Sequence, residues 1–429
     1  MAKKTDMTVN VYLWGTRIGL LEWNVEQARA AFQFSQEYMD SDIDLSLISA
    51  PKDSVWNRTF WGNRGDKYQG LPEFIADSLP DNWGNTLFDQ WTKDNHIPLK
   101  DINSLMKLSF IGSRGMGAFE FVPETDLSKD TGLIDVGALY DMALNVLDDR
   151  KERVLSSIEK RTMEKLILLG TSAGGKHAKG VIAINEVNGD IRSGQVALPK
   201  EYSYYILKFK EDASVPTSEI EKVYYDMATQ AGIDMMPCRL FETDGINHFL
   251  TKRFDRKSGG EKILSQTLAA VSPNARDYMN LFWLSGKMQL PYAQKEQLFR
   301  RMVFNHVAGV TDDHNKNFSF LMDRDGSWSL SPAYDVMFTA NVWADPSSIA
   351  HALSLGGKNA HVTMEDFLAF AEDFDIVNPE QIIDEVCLAV SRFMPLCEEN
   401  GISMEWPSRI WEVIRSLFPE IRTSPSVWQ

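Results

Sequence analysis

Thr311-Asp312-Asp313-His314-Asn315-Lys316-Asn317 is an uninterrupted polar run set between two apolar stretches. Upstream, residues 292–307 carry a helical pattern that starts behind Pro291, a residue favoured at helix entrances. Downstream, residues 318–322 alternate like a strand. A segment this polar cannot be packed into a core, so it must be a loop at the corner where a buried helix hands over to a sheet. Any fold for this chain has to build a helix and a strand around that corner.

The rest of the chain supplies both kinds of element. Residues 8–14 alternate with Val9, Val11 and Leu13 on one face, and Gly15-Thr16 suits a hairpin turn. Helical patterns follow at 71–79, 82–92 and 102–110, and the break at 112–117 precedes a strand at 118–122. Two amphipathic helical patterns, 135–149 and 151–169, lead into a glycine-rich turn at 170–180. Strands are predicted at 181–184, 204–208 and 249–252, interrupted by one helix at 218–230. Beyond Arg276 the pattern is mainly helical, with helices predicted at 364–372, 379–393 and 404–417. The expected domains are 1–125, 126–255 and 256–429, with no internal repeat and no low-complexity tract.

Within the polar run, Asp312 and Asn317 have the residue types that phosphoryl transfer needs: a carboxylate beside an attacking hydroxyl and oxygen ligands for Mg²⁺. Asp followed five positions later by Asn is the spacing of the protein-kinase catalytic loop, although His and Arg do not precede the Asp here. A hairpin turned at Asp325-Gly326 would return Asp335, in Ser331-Pro332-Ala333-Tyr334-Asp335, to the same corner as a second metal carboxylate. Taken singly, Asp312, Asp313 and Asn315 read as turn formers and Asp335 as a helix cap; it is their joint order that favours chemistry. His306 and His314 lack a matching carboxylate motif and read as structural rather than as a zinc site.

Gly170 to Gly180 is rich in small residues whose backbone N–H groups suit a phosphate. It follows G-x-x-x-x-G-K from Gly170 to Lys176, yet His177 stands where a metal-binding hydroxyl belongs, and a helix precedes it where a P-loop has a strand. On its own it reads as a helix end and linker. Lys208 on a strand and Glu221 on the following helix are ordered as the lysine and glutamate that pair across nucleotide phosphates in kinases, though each alone reads as a solvated charge.

The bulk properties narrow the classes. At 429 residues the chain can bury a deep cleft, and a net charge of -16 opposes whole-surface binding to nucleic acid. The three cysteines, Cys238, Cys387 and Cys397, are widely spaced, so neither a disulfide framework nor a thiolate zinc site is indicated. No apolar stretch is long enough to span a membrane, and the N-terminus lacks a signal-peptide pattern, so a soluble cytoplasmic protein is expected.

Together these segments resemble the HipA family of serine/threonine kinases, the toxin halves of bacterial toxin–antitoxin modules. The likeness runs over nearly the whole chain: Leu71 to Phe74, Ser78 to Pro80 and Phe110 to Gly112 in the N-terminal part, then Leu169 to Gly180, Thr251 to Arg256, Thr311 to Ser319, Pro332 to Asp335 and Ala352 to Gly357. The resemblance implies an α+β, two-lobed protein-kinase-like fold with a small N-terminal α+β subdomain and a helical C-terminal lobe. It implies Asp312 as the catalytic residue, Asn317 and Asp335 as Mg²⁺ ligands, and an ATP site drawn from Ser172, Ala173, Gly174, Gly175, Lys208, Glu221, His314 and Lys316. Lys252-Arg253-Phe254-Asp255 resembles the hinge that meets adenine and places its acid near the ribose; Lys252 departs from the glutamate frequent there. Ser172 matches the serine that is autophosphorylated in the family. The implied partners are a small helix-turn-helix antitoxin of the HipB type, operator DNA mainly through that antitoxin, and a protein substrate such as an aminoacyl-tRNA synthetase. Two other readings stay open: a nucleotide-binding corepressor with little catalysis, and a small-molecule kinase of similar fold.

Overall fold

A computed structural model of the protein describes residues 7–45, 48, 50–55, 58–127, 132–148, 156–171 and 175–419. These fall into two compact units. One comprises residues 1–211, 241–266 and 321–327; the other comprises 212–240, 267–320 and 328–429.

The first unit begins with the alternating strand Thr8–Leu13, whose Val9, Val11 and Leu13 are fully buried. Its hairpin turn is Trp14-Gly15 rather than Gly15-Thr16, because Leu13 pairs with Thr16. The two loop residues have φ of +50° and +86°, the pair of positive values that a tight two-residue hairpin demands. Thr16–Asn24, Arg29–Phe34 and Thr59–Trp61 extend the sheet on one side of the first strand, and Phe119–Val122 pairs on its other edge. A second five-stranded sheet has Lys179–Asn185, Tyr202–Lys208 and Ile246–Lys252 at its centre, flanked by Ile191–Ser193 and Cys238–Thr243. The three central strands are the ones the alternation predicts; the short flanking ones carry too little pattern to be read.

Helices Val136–Leu147 and Ser157–Gly170 pack on this second sheet through Leu139, Leu166 and Leu169 against Ile182, Leu207 and Leu250. Ser156 and Glu159 form a reciprocal capping box that fixes where the second of these helices starts. Trp83, Leu87 and Phe88, from helix Asn82–Asp94, join the same core. The apolar packing therefore continues across residue 125, where the composition suggests a border.

The second unit is mainly helical, as predicted. Helix Tyr292–Val307 lies at its centre, with Leu298, Phe299, Met302, Val303 and Phe304 fully buried. Helix Thr217–Gln230 is fastened to its end: the Tyr224 hydroxyl donates to the Ala308 carbonyl at 2.6 Å, and its ring meets Phe304 and Phe393 edge-on. Helices Met364–Asp373, Pro379–Ser391, Phe393–Glu399 and Glu405–Leu417 complete the unit. Among the described residues no helix is long and apolar enough to cross a membrane.

Gly309 is the hinge of the polar corner. At φ +69° it ends the central helix, and Val310 N–H donates back to Asn305 at 2.9 Å. A Cβ there would also stand 3.1 Å from the Phe338 ring. Gly309→Ala is expected to cost about 1–2 kcal/mol, the penalty of a left-handed backbone for an L-residue. The check is a lower midpoint in chemical denaturation of the full chain.

Candidate functional site

The polar run is the loop the sequence requires, and four interactions set its shape. Asp312 N–H donates to Thr339 Oγ1 at 2.9 Å, and Asn317 N–H donates to the His314 carbonyl at 2.9 Å. Asn317 Nδ2 donates to the Asp312 carbonyl at 2.8 Å, which commits the amide nitrogen to the loop and leaves Oδ1 as the atom for a hard cation. Lys316 N–H donates to His314 Nδ1 at 3.2 Å. The Asp312 side chain is 62% exposed, with His314 Nε2 3.7 Å from its carboxylate.

The neighbouring carboxylate has the opposite environment. Asp313 is fully buried, and its two oxygens accept from Tyr278 Oη at 2.6 Å, His351 Nδ1 at 3.1 Å, Ala352 N at 2.9 Å and Leu353 N at 3.4 Å. Asn305, on the central helix, donates to the same Tyr278 hydroxyl at 3.0 Å. Burial by itself would raise the Asp313 pKa; the His351 hydrogen bond and charge, with smaller effects from His306 and Tyr278, hold it below the ordinary value.

His306 stacks on His351 with ring centroids 4.0 Å apart and planes 18° apart. One ion cannot lie in the planes of two rings stacked this way, so these histidines and Asp313, although within 4.8 Å of one another, do not make a chelating set. Burial drives the His306 pKa down to about 3, so the ring is neutral.

The hairpin Ser319–Met322 and Trp328–Leu330 brings the chain back as its turn chemistry predicts, with Gly326 at φ +81° and Ser331 N–H donating to the Ser319 carbonyl at 3.0 Å. The returning segment is then fastened on several sides. Arg301 Nη2 donates to the Ser331 carbonyl at 2.8 Å, and Ala333 N–H donates to the Asp234 carbonyl at 2.8 Å. The Tyr334 hydroxyl donates to the Lys316 carbonyl at 2.7 Å and lies 2.6 Å from Ser319 Oγ. Asp335 follows with φ +55°, and it lines one recess together with Asn317, Asn305 and Arg301. The structure thus brings Asn317 and Asp335 together. Tyr334 and Arg301 do this work and were not read from the sequence, which shows only a tyrosine in a turn and an arginine in a helix.

The expected nucleotide residues are spread more widely. Ser172, Ala173 and Gly174 lie outside the described residues. Gly175 has φ +109°, and Lys179, buried on the next strand, packs beside it. Lys208 stands directly opposite Lys179 in the antiparallel ladder, so two cationic side chains share one face there; Lys179 was overlooked because it reads as the start of a strand. Glu221 is buried on helix Thr217–Gln230 of the second unit.

At the hinge segment the structure corrects the reading from resemblance. Lys252 and Phe254 are half-buried, but Arg253 and Asp255 turn inward and are almost wholly enclosed. Asp255 accepts from Arg253 Nε and Nη2 and from Arg256 Nη1, each at 2.8 Å, and from Gly117 N at 2.7 Å. Arg253 donates onward to the Gly194 carbonyl, and Arg256 to those of Gly115 and Gly117. This carboxylate is shut away from any ribose; it ties the hinge to the N-terminal glycine turn. Burial would raise its pKa, but Arg253 and Arg256 hold it far below the usual carboxylate range. The depressed pKa means that Asp255 stabilises the fold above about pH 4 and that this contribution fades as pH falls further. Asp255→Ala should cost about 3–5 kcal/mol by stranding two buried guanidinium groups. Denaturation against pH should show a shallower acid decline for Asp255→Asn than for wild type.

Comparison with known proteins adds two family matches. Residues 9–122 match the HipA N-terminal domain, and residues 171–393 match the HipA-like C-terminal domain. The serine/threonine-protein kinase toxin HipA of Shewanella oneidensis is 22% identical over 367 residues, covering 79% of this chain and 76% of that protein. Y4mE of Sinorhizobium fredii, provisionally named a kinase, is 25% identical over 259 residues, covering 55% of this chain and 58% of its own length. A solved structure of Shewanella oneidensis HipA, with HipB and operator DNA, superposes with a TM-score of 0.62 at 17% identity over 95% of both chains, which shows the shared kinase-like fold.

Proposed function

The chain belongs to the HipA family, and from that premise we propose that it is an ATP-dependent kinase that phosphorylates serine or threonine on a protein. The observation that carries the reading is the recess that unites Asn317 with Asp335, although they are 18 residues apart. Its oxygen donors suit Mg²⁺, which would neutralise charge on the transferring phosphoryl group.

The residues then have distinct tasks. Asn317 Oδ1 and the Asp335 carboxylate would hold the cation. Exposed Asp312 accepts the proton of the acceptor hydroxyl while that oxygen bonds to the γ-phosphorus; the bond from phosphorus to the β-phosphate oxygen breaks, and ADP leaves. Lys208, with Lys179 opposite it, would place positive charge for the nucleotide phosphates, and Glu221 is proposed for the role of the helix glutamate of kinases. His314 and Lys316, beside Asp312, and Gly175, Lys252 and Phe254 complete the nucleotide contacts, with Ser172, Ala173 and Gly174 in the turn. Ser172 is the proposed site of self-modification: about -1.5 to -2 of added charge beside the phosphates would oppose nucleotide binding.

The Shewanella protein's assembly with HipB and operator DNA supports a small helix-turn-helix antitoxin as the partner here, with DNA met mainly through it. The net charge of -16 agrees with indirect DNA contact. A translation component such as an aminoacyl-tRNA synthetase is the proposed substrate, and the cytoplasm the proposed compartment.

The test is purified protein with Mg²⁺ and γ-labelled ATP, wild type beside Asp312→Ala and Asp335→Ala, with phosphosites mapped by mass. Each variant is expected to lose about 10²–10⁴-fold in transfer rate while keeping its unfolding midpoint. Label on Ser172 should appear in wild type alone. Near-normal transfer by either variant overturns the assignment.

A further inference from the structure

The N-terminal part of the first unit reaches the glycine turn through one helix. Helix Asn82–Asp94 starts behind Asp81, whose backbone has the extended geometry of a cap but whose side chain makes no capping hydrogen bond. Asp81 Oδ2 accepts instead from Gly175 N–H, at 3.0 Å. Two residues on, fully buried Trp83 donates through Nε1 to the Lys179 carbonyl at 2.9 Å, and its backbone N–H points to the Gly175 carbonyl at 3.5 Å. Gly84 touches the other flank, where a Cβ would fall 2.4 Å from the Thr171 carbonyl. One helical turn therefore grips the chain on both sides of the glycine-rich segment, from 94 residues away.

An aspartate that leaves its own helix uncapped in order to hold a distant backbone amide is spending its charge on the partner. We propose that Asp81 is a positioning residue for nucleotide binding: it fixes Gly175, and with Trp83 fixes Lys179, so that the Gly175 backbone and the Lys179 side chain are presented to the nucleotide phosphates in one arrangement. The N-terminal domain is on this account part of the nucleotide site. The inference rests on the nucleotide role proposed above for Gly175.

The test uses the full chain as wild type, Asp81→Ala and Asp81→Asn. Hydrogen exchange of the peptide containing Gly175 is followed without nucleotide, and binding of a non-hydrolysable ATP analogue with Mg²⁺ is measured by calorimetry. Asp81→Ala should remain folded, with a single cooperative unfolding transition. It should speed exchange at Gly175 about tenfold and weaken the analogue about tenfold, the order one charge-assisted hydrogen bond supplies. Asp81→Asn keeps an acceptor oxygen and should restore most of both. Unchanged exchange or unchanged affinity in Asp81→Ala overturns the proposal. Tighter binding also overturns it, since the carboxylate would then be occupying a donor the phosphates need. Wild-type protein that binds no analogue would sink the nucleotide reading itself, while wild-type binding with an indifferent Asp81→Ala sinks only the positioning role.

Discussion

A carboxylate with no access to water is unfavourable unless every lone pair is met, and Asp313 satisfies that demand with four donors drawn from two separate stretches of chain. Tyr278 comes from one helix, His351, Ala352 and Leu353 from a distant loop, and Asn305 supports Tyr278 from the central helix. The residue beside Asp313 is Asp312, so burying one aspartate fixes the backbone from which the other is offered to solvent. Adjacent identical side chains thus differ in environment: Asp313 anchors the loop, and Asp312 is the exposed carboxylate to which the reacting role is proposed.

The same logic recurs around the rest of the site. Asp335 is delivered by a segment tied through Arg301, Tyr334 and the Ala333 backbone. Asp255 joins the segment after strand Ile246–Lys252 to the glycine turn at 115–117, and Asp81 joins a helix to Gly175. The chain spends its buried charges on loops, because loops lack the ladder of bonds that holds helices and strands. The groups left for chemistry are those the anchored backbone carries outward.

Much of this was legible in the sequence where it depended on local patterns. The polar run between apolar neighbours forced a loop, the Asp325-Gly326 turn set the path out of it, and the five-residue interval put Asp312 and Asn317 on one loop. What was not legible came from pairs far apart in the chain. Nothing local shows that Tyr334 reaches Lys316 or that Asp81 bonds an amide 94 positions away. The case of Asp255 differs, since the signal was present: alternation along Lys252 to Asp255 puts Arg253 and Asp255 on one face, opposite Lys252 and Phe254. Resemblance suggested a ribose contact there, and the pairing of Asp255 with two arginines outweighed it. The first sheet's strands Thr16–Asn24, Arg29–Phe34 and Thr59–Trp61 were not separated from turns, whereas Phe119–Val122 was expected.

Asn317 and Asp335 are the residues on which the proposed cation-dependent nucleotide site depends. The most direct measurement is calorimetric binding of a non-hydrolysable ATP analogue with and without Mg²⁺, wild type beside Asp335→Asn. The account predicts that Mg²⁺ tightens binding to wild type by about tenfold or more, and that Asp335→Asn loses this gain while keeping its metal-free affinity. Equal affinities with and without Mg²⁺ in wild type, or an undiminished Mg²⁺ effect in Asp335→Asn, would contradict it.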